Sequence, residues 1–356
     1  MRPQLGELHS MIRIHFTYRH VDTPWGGANN FIRALYEDVS QCGQFSITQS
    51  LEDPCDILFM NQLGTGPGGN GAMVPLDQVR RLLGQKGEGS RVKHRKLVVR
   101  AVNLNWHAFP LGPRNLTRGW WIDRQTIKLL NTADVAIFQS AYQRDFFSRA
   151  GYRGGDNAVI HNGAAPSYWI STVSPPPLET TLRLVSSTAA PRATKRHDLI
   201  ARFSMLDNVE VLHLGAWPKG IDTKRVKLLG MQASEQMVKV LSGCHCFLHP
   251  AIKDPCPNSI FEAVCAGLPV IYNPGPGSSY EILGPCGLAL NENDLGQTVA
   301  AVRQKLPELR RSVLERREHF TIGHASAQYR AVFQRLDASQ KEGLQTPNDI
   351  VLGPPE

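Results

Sequence analysis

Two carboxylates flank the predicted start of a helix in the second half of the chain. Asp254 and Glu262 are separated by seven residues, and Ser259 lies between them, with Glu262 three residues further on. That spacing predicts a capping box in which Ser259 begins the helix. The free N–H groups and partial positive charge of a helix N-terminus bind phosphate, and neighbouring carboxylates can accept hydrogen bonds from hydroxyl groups. This arrangement suits a sugar nucleotide.

The residues that follow predict the end of this helix, a strand and the start of a second helix. Gly267 supplies a left-handed helix stop, and Pro269 prevents the helix from continuing. Residues 270–272 predict a buried strand, after which Ser278 and Glu281 repeat the capping pattern. Both helices are therefore expected to begin with a side-chain cap.

This stretch resembles the donor-site signature of the retaining glycosyltransferases of family 4 (glycosyl transferases group 1), which have the GT-B fold. The signature is an acidic residue, seven residues, a glutamate, and a helix of small residues that ends in Gly-x-Pro-Val. Here it reads Asp254, PCPNSIF, Glu262, AVCA and then GLPV from Gly267. The first acidic residue is usually glutamate, so Asp254 departs from the signature by one methylene group.

The resemblance implies a role for each of these residues. Asp254 would hold hydroxyls of the transferred sugar, Glu262 would bind the ribose, and Lys195 would neutralise the leaving diphosphate. An arginine of the same loop would assist Lys195; Arg192 is the first choice and Arg196 the second. The predicted catalytic residues are Asp254, Glu262, Lys195 and His107. The predicted donor-binding residues are Gly26, Gly27, Arg100, Arg192, Lys195, Gly230, Pro257, Asn258, Ser259, Ile260 and Glu262.

Two glycines follow the first predicted strand and precede an amphipathic helix. Gly26 and Gly27 would let a phosphate or a sugar approach the backbone closely, although a plain turn has the same pattern. Arg100 and His107 lie in a segment just past another predicted strand, where ligands of α/β sheets bind. In the resembling family a histidine or arginine in this place often contacts the donor sugar; a histidine that only forms surface hydrogen bonds is the alternative.

Gly230 falls where the family places a loop that holds the nucleotide base by backbone atoms. Two further patterns each allow two interpretations. Trp120 and Trp121 could form an acceptor platform, but a helix packing face is preferred. The Cys-His-Cys run at 244–246 could suggest a metal. Alternation along a strand would send its histidine to the opposite face, and no second pair lies at zinc-finger spacing, so a buried strand is preferred.

Strands alternate with helices twice along the chain, with one Pro-rich connector between the two series. This predicts an α/β protein, and with the resemblance a GT-B architecture: two Rossmann-like domains whose parallel sheets face a central cleft. The predicted divisions are an acceptor-side domain at 11–164, a linker at 165–181, a donor domain at 182–324, a helix at 325–338 that packs back on the first domain, and a flexible tail at 339–356.

Composition limits the class of protein. The 356 residues, 42% hydrophobic and 20% charged, are typical of a globular protein with two domains. No apolar run approaches the roughly 20 residues that cross a bilayer, and the N-terminus lacks a signal-peptide pattern, so a cytoplasmic location is expected. The seven cysteines predict free thiols. A net charge of +8 suits nucleotide phosphates and the anionic inner membrane face. The sequence contains no basic block interleaved with aromatic residues, so a nucleic-acid partner is not expected.

The sequence therefore predicts a retaining glycosyltransferase that moves a sugar from a nucleoside-diphosphate donor, with UDP or GDP expected, to a hydroxyl of a glycan or lipid-linked acceptor. No cofactor and no metal are expected, because the sequence contains no Asp-x-Asp motif. The alternatives are a GT-B sugar-nucleotide epimerase, a phosphorylase, which would need a longer chain and a pyridoxal lysine, and a non-catalytic homologue that binds a sugar nucleotide. An NAD-type oxidoreductase is disfavoured because the G-x-G-x-x-G fingerprint is missing.

Overall fold

The structure is a computed structural model that describes residues 11–22, 26–51, 53–83, 96–105, 113–173 and 176–344. His107, one of the predicted catalytic residues, lies outside the described residues. The elements named below are those of the described ranges.

The first half of the chain forms a six-stranded sheet in the order β2-β1-β3-β4-β5-β6, and every neighbouring pair is parallel. Its strands are β1 (Ile12–Phe16), β2 (Phe45–Ile47), β3 (Ile57–Asn61), β4 (Lys96–Arg100), β5 (Val135–Phe138) and β6 (Asn157–Val159). The helices between them are α1 (Gly26–Gln41), α2 (Leu76–Leu82), α3 (Pro113–Thr132) and α4 (Ala141–Arg149). All five residues of β3 are buried, as expected for a parallel strand that is covered on both faces.

The second half repeats this architecture with a sheet in the order β12-β11-β10-β7-β8-β9, again with parallel pairs. Its strands are β7 (Leu182–Thr188), β8 (Val209–Gly215), β9 (Lys227–Gly230), β10 (Cys246–His249), β11 (Val270–Tyr272) and β12 (Gly287–Ala289). Its helices are α5 (His197–Phe203), α6 (Ser234–Ser242), α7 (Asn258–Cys265), α8 (Ser279–Leu283), α9 (Leu295–Arg316) and α10 (Ile322–Leu344).

The last helix, α10, packs against the first sheet rather than the second. The Tyr329 ring lies 5.7 Å from the Phe31 ring of α1, and the Phe333 ring lies 5.9 Å from the Phe59 ring of β3, measured between ring centroids. All four side chains are nearly fully buried in one hydrophobic cluster. The chain therefore crosses between the two sheets twice, once after β6 and once before α10.

Both predicted capping boxes are wrong. Helix α7 begins at Asn258 with Pro257 as its N-cap, and no side chain accepts a hydrogen bond there. Helix α8 has Ser278 at its N-cap position, but the Ser278 hydroxyl donates to the Asp254 carbonyl instead of capping the helix. Of the side chains predicted to form the second capping box, Ser278 and Glu281 instead bond to other parts of the chain.

Three other expectations concern exposure. Cys244, His245 and Cys246 are buried, as the strand interpretation expected, although β10 begins only at Cys246; the seven cysteines are free thiols. The packing interpretation of Trp120 and Trp121 is wrong, because these side chains are 58% and 52% exposed. Among the helices of the described ranges, none combines the length and the hydropathy that crossing a bilayer requires.

Candidate functional site

A cleft of about 750 Å³ lies between the two sheets. The first half contributes the ends of β3 and β4, including Asn61 and Arg100, and the second half contributes the loops after β7 and β10 and the start of α7. The carboxyl ends of the strands in both sheets therefore open onto one space. Ligands of open α/β sheets bind in this place.

Asp254 and Lys195 form an ion pair in the cleft. Lys195 Nζ donates to Asp254 Oδ2 at 2.6 Å, and the backbone N–H of Cys256 donates to Asp254 Oδ1 at 3.2 Å. Burial opposes ionisation of Asp254, but the charge of Lys195 and these hydrogen bonds outweigh it and hold the pKa of Asp254 below its ordinary value. Asp254 is therefore a carboxylate at neutral pH, and Lys195, which also lines the cleft, is held beside it.

The backbone holds these two side chains in register. The N–H of Ile252 donates to the carbonyl of Thr194 at 2.9 Å, which joins the loop after β10 to the loop after β7. Arg196 and Lys253, the neighbours of the ion pair in sequence, both adopt left-handed backbone conformations with φ of 53° and 58°. Such conformations cost free energy for residues with a side chain and cluster at functional sites.

Glu262 lies on α7 at the cleft, and no hydrogen-bond partner for its carboxylate is present among the described residues. Burial raises the pKa of Glu262 to about 7. Burial and the nearby charge of Glu262 also raise the pKa of the Tyr168 hydroxyl, which lies 3.6 Å from Met237 Sδ. The carboxylate lines the cleft and is partly buried, with no donor from the described residues. A ligand that presents hydroxyl groups would supply the donors.

The start of α7 is tied to the first half of the chain by asparagine side chains. Asn258 Nδ2 donates to the carbonyl of Gly27 at 3.1 Å, and Asn162 Nδ2 donates to Asn258 Oδ1 at 2.7 Å. A Cβ atom on Gly27 would lie 2.8 Å from Asn258 Nδ2, so this approach requires glycine. The first-turn N–H groups of α7 are therefore presented to the cleft next to Gly27.

Arg100 stabilises the hydrogen bond between Asn162 and Asn258 from the first half of the chain. Its side chain is 1% exposed, and its guanidinium donates to the amide oxygens of Asn61, Gln139 and Asn162 at 2.7 Å each. It also lies over the Phe31 ring, 4.4 Å from the centroid. Within the described part of the chain Arg100 forms no salt bridge. Its hydrogen bonds orient Asn162, which in turn orients Asn258.

Glu281 makes a second contact between the two halves. Its carboxylate accepts the N–H groups of Ala141 at 2.6 Å and Tyr142 at 3.1 Å, which are the first residues of α4, and lies 3.0 Å from His161 Nε2. Burial opposes ionisation of Glu281, but these hydrogen bonds outweigh it and hold the pKa of Glu281 below its ordinary value. Glu281 therefore interacts with a helix of the other half, not with its own.

The structure brings most of the other predicted site residues to the cleft. Arg192, Lys195, Pro257 and Ser259 line it, and Gly26 is the first residue of α1 beside it. Ile260 is fully buried behind the cleft, and Gly230 ends β9 with φ of 67° while its neighbours Met231 and Gln232 line the cleft. Arg196 points elsewhere and pairs with Asp198 and Glu292.

Some residues at the site were not predicted from the sequence. They are Asn61, Gln139, Asn162, Tyr168, Met231, Gln232, Met237 and Glu281. Asn162 had a usable signal, because it belongs to the Asn-Gly pair at a predicted strand end. Glu281 had none, because its partners lie 140 and 139 residues away in sequence.

The model of the family described as glycosyl transferases group 1 matches residues 190–307, which include Lys195, Asp254 and Glu262. Curated proteins gave no match to the sequence. Among solved structures, sucrose-phosphate synthase from Thermosynechococcus elongatus has a TM-score of 0.64 at 14% identity, over 92% of this chain and 100% of that chain.

Two further structures agree with that likeness. HepE from Anabaena, solved with UDP-glucose, has a TM-score of 0.58 at 15% identity over 91% of this chain and 100% of its own. The lipopolysaccharide outer core galactosyltransferase WaaB, in its apo form, has a TM-score of 0.61 at 14% identity over 91% of this chain and 100% of its own. The fold is GT-B. This fold and the family match over residues 190–307 together support a GT-B glycosyltransferase.

Proposed function

We propose that the protein is a retaining glycosyltransferase that transfers a sugar from a nucleoside-diphosphate donor to a hydroxyl of a glycan or lipid-linked acceptor. The observation that carries this proposal is the cleft arrangement of the Lys195–Asp254 ion pair and Glu262, a carboxylate with no donor among the described residues. The cleft lies between two Rossmann-like halves, and the three residues fall inside the family match.

The diphosphate would bind between Lys195 and the N-terminus of α7. Lys195 supplies a positive charge, and the N–H groups of Asn258 and Ser259 in the first turn of α7 supply donors that have no acceptor within the helix. Arg192, on the same loop as Lys195, adds a second cation at the cleft. These groups would stabilise the charge that develops on the leaving diphosphate when the bond to the sugar breaks.

Glu262 and Asp254 would bind the two sugars of the donor. Glu262 would accept hydrogen bonds from the ribose hydroxyls, and its partly buried carboxylate has no donor from the described residues. Asp254 would accept hydrogen bonds from hydroxyls of the transferred sugar, in a position set by Lys195 and the Cys256 N–H. The resemblance of the signature implies retention of the anomeric configuration, with the leaving phosphate accepting the proton of the acceptor hydroxyl.

The base would lie beside the loop after β9, where Met231 and Gln232 line the cleft. UDP is the first nucleotide to test, because the GT-B protein HepE was solved with UDP-glucose and with UDP. GDP is the second. No metal or cofactor is proposed, since Lys195 and α7 supply positive charge to the diphosphate.

A contact with a membrane surface would bring the enzyme to a lipid-linked acceptor at the inner membrane face. Helix α3 exposes Trp120, Trp121, Arg124 and Lys128, which fall within about a 100° arc at 100° per residue. Aromatic and basic side chains on one exposed face are typical of helices that lie on anionic lipid. The Arg124 guanidinium lies 5.2 Å from the Trp120 ring centroid, which leaves both on this face.

Thermal unfolding with UDP-, GDP-, ADP- and dTDP-sugars tests the function. A ligand of the native state raises the melting temperature by mass action. We expect one nucleotide to raise the melting temperature of the wild type and of Lys305→Ala, an exposed site on α9, but not of Lys195→Ala or Glu262→Ala. An absence of any shift in the wild type would contradict the proposal.

Turnover separates transfer from the alternatives. A GT-B epimerase would consume the donor with no acceptor and release an epimeric sugar, and a non-catalytic homologue would bind the donor without consuming it. The signature usually has glutamate where this chain has Asp254, and this difference is the reason for testing the non-catalytic alternative. Incubating the bound sugar nucleotide with acceptor extracts and following nucleotide release distinguishes the three.

A further inference from the structure

A second cavity, of about 350 Å³, lies at the opposite edge of the second sheet from the cleft; we call it the rear cavity. Its described walls include Val238 and Lys239 of α6, His245 before β10, Gly267 and Leu268 after α7, and Arg310 of α9. His245 directly precedes β10, and Gly267 and Leu268 precede β11, so the rear cavity lies at the N-terminal ends of these strands. Its volume is within the range of small-molecule sites.

Arg310 places an uncompensated positive charge at this cavity. Its Nε is buried and has no hydrogen-bond partner, and its Nη2 has only a long contact of 3.4 Å with the carbonyl of Pro176. No salt bridge to Arg310 is present in the described ranges, and burial lowers the pKa of Arg310. The Arg310 side chain is only half-buried, but its Nε donor is enclosed and unsatisfied, so the site favours a ligand that accepts hydrogen bonds and carries negative charge.

The other titratable side chains at the rear cavity reinforce this preference. Lys239 adds a second cation, and the described wall contains no aspartate or glutamate. His245 adds no charge, because its Nδ1 accepts the N–H of Arg183 at 2.8 Å and burial lowers the pKa of His245. The wall beside these cations is apolar and includes Val173, Val238 and Leu268.

We propose that the rear cavity binds a small organic anion, a phosphate or carboxylate that carries a short apolar group. Its negative charge pairs with Arg310 and Lys239, and its apolar group packs on Val238 and Leu268. Arg310 supplies hydrogen-bond donors that the fold leaves without acceptors. Size, charge and apolar wall together distinguish this ligand from a free inorganic ion and from a neutral hydrocarbon.

Two helices connect the rear cavity to the cleft. Helix α6 lines the cleft with Ser234 and Met237 and the rear cavity with Val238 and Ser242. Helix α7 begins at the cleft, and the turn that follows it, at Ala266 and Gly267, lines the rear cavity. We infer that an anion in the rear cavity changes nucleotide affinity at the cleft; by linkage the nucleotide then changes anion affinity equally. This coupling rests on the proposed function, whereas anion binding does not.

Hexyl phosphate is the probe. Inorganic phosphate, which lacks the apolar group, and 1-hexanol, which lacks the charge, are the control ligands. Isothermal titration should show saturable binding of hexyl phosphate to the wild type and at least about tenfold weaker binding of either half, since each lacks one set of contacts. Arg310→Gln and Lys239→Ala should weaken hexyl phosphate binding. Arg311→Gln, at an exposed position beside Arg310 on α9, and Lys195→Ala in the cleft should leave it unchanged.

Stability provides an independent readout. Because Arg310 is half-buried and forms no salt bridge in the described ranges, Arg310→Gln without probe should be about as stable as the wild type. Lys239 is exposed, so Lys239→Ala tests the site even if Arg310→Gln does not fold. No binding to the wild type, equal binding to Lys239→Ala, or binding lost in Lys195→Ala would each overturn the proposal.

Coupling is measured as the dissociation constant of UDP with and without saturating hexyl phosphate. We expect a change of at least about fivefold in the wild type and in Arg311→Gln, and none in Lys239→Ala. Hexyl phosphate binding with no change in UDP affinity would overturn the coupling alone. A chain that binds hexyl phosphate but no nucleotide would refute the proposed function and leave the anion site standing.

Discussion

The carboxylate of Glu281 accepts the backbone N–H of Ala141 at 2.6 Å, so a side chain of the second half of the chain caps a helix of the first half. Helix α4 also has its own N-cap, because the Ser140 hydroxyl accepts the N–H of Gln143. Glu281 accepts the N–H groups of Ala141 and Tyr142, which Ser140 does not reach. A negative charge at a helix N-terminus is also favoured by the helix dipole. This contact fixes the two sheets relative to each other across the cleft.

Glu281→Ala should lower the free energy of unfolding by about 1 to 2 kcal/mol at pH 7, the magnitude of a lost helix cap. Glu281→Gln should lose less, because the amide retains one acceptor oxygen. Urea unfolding measures both, and Glu308→Ala, at an exposed position on α9, is the control.

The same contact gives a pH dependence. Since the pKa of Glu281 is lower in the folded chain than in the unfolded chain, its stabilisation is present above the unfolded pKa and is lost as the pH falls through the folded pKa. The difference in stability between wild type and Glu281→Ala should therefore shrink in acid. A difference that is constant from pH 7 to pH 3 would contradict the capping role.

Glu262 should have the opposite effect on stability. Burial raises its pKa from 4.5 to about 7, so between these pH values the folded chain retains a proton that the unfolded chain has lost. The free energy of unfolding then falls as the pH rises through this window. Glu262→Gln should be more stable than wild type at pH 8 by about 1 to 3 kcal/mol and equally stable at pH 4. Glu235→Gln, exposed on α6, should show no such difference.

The ionisation of Glu262 should also affect the affinity for the donor. If ribose hydroxyls donate to Glu262, the ionised form is the better acceptor, and the affinity for UDP-glucose should rise with pH near 7. The diphosphate of this donor carries constant charge over that range. A pH-independent affinity in wild type, or a pH dependence that persists in Glu262→Gln, would contradict this role.

How much of this could be predicted from the sequence depends on how local each signal is. Alternating strands and helices predicted the α/β fold, and the spacing of Asp254 and Glu262 with its flanks identified the loop and helix at the cleft. The caps were wrong because Ser278 and Glu281 find better partners far away in sequence. Arg100 was placed at a strand end, but its amide partners Asn61, Gln139 and Asn162 come from three other segments that only the sheet order brings together.

Gly27→Ala separates stability from function. The added Cβ would lie 2.8 Å from Asn258 Nδ2 and should displace that amide from the Gly27 carbonyl. Alanine is a better helix former than glycine, so the melting temperature should not fall. Nucleotide affinity should fall severalfold, because Asn258 begins the helix that we propose binds the diphosphate. Gly155→Ala, where an added Cβ meets nothing within 4 Å, is the matched control. Unchanged nucleotide affinity would show that the hydrogen bond between Asn258 and Gly27 does not position α7 for the nucleotide.

The exposed face of α3 predicts lipid binding. Sedimentation with phosphatidylserine-containing liposomes at physiological salt should bring down the wild type, and Trp120→Ala/Trp121→Ala should bind more weakly. Arg124→Ala/Lys128→Ala should lose about 1 kcal/mol per charge, with a weaker salt dependence. Leu314→Ala, which removes an exposed apolar side chain on α9, should bind like wild type. Equal sedimentation of all variants, or none of the wild type, would contradict the membrane contact.

The most direct test of the donor site compares UDP with uridine by isothermal titration. Lys195→Ala should weaken UDP binding by at least about tenfold, the worth of a charge-assisted contact, and leave uridine binding unchanged. Glu262→Gln should weaken UDP and uridine equally, and Lys305→Ala should affect neither. If the nucleotide panel selects GDP, then GDP and guanosine replace this pair. These results are expected because Lys195 is proposed to bind the diphosphate and Glu262 the ribose. A Lys195→Ala variant that loses both ligands equally, or that keeps full UDP affinity, would contradict this assignment.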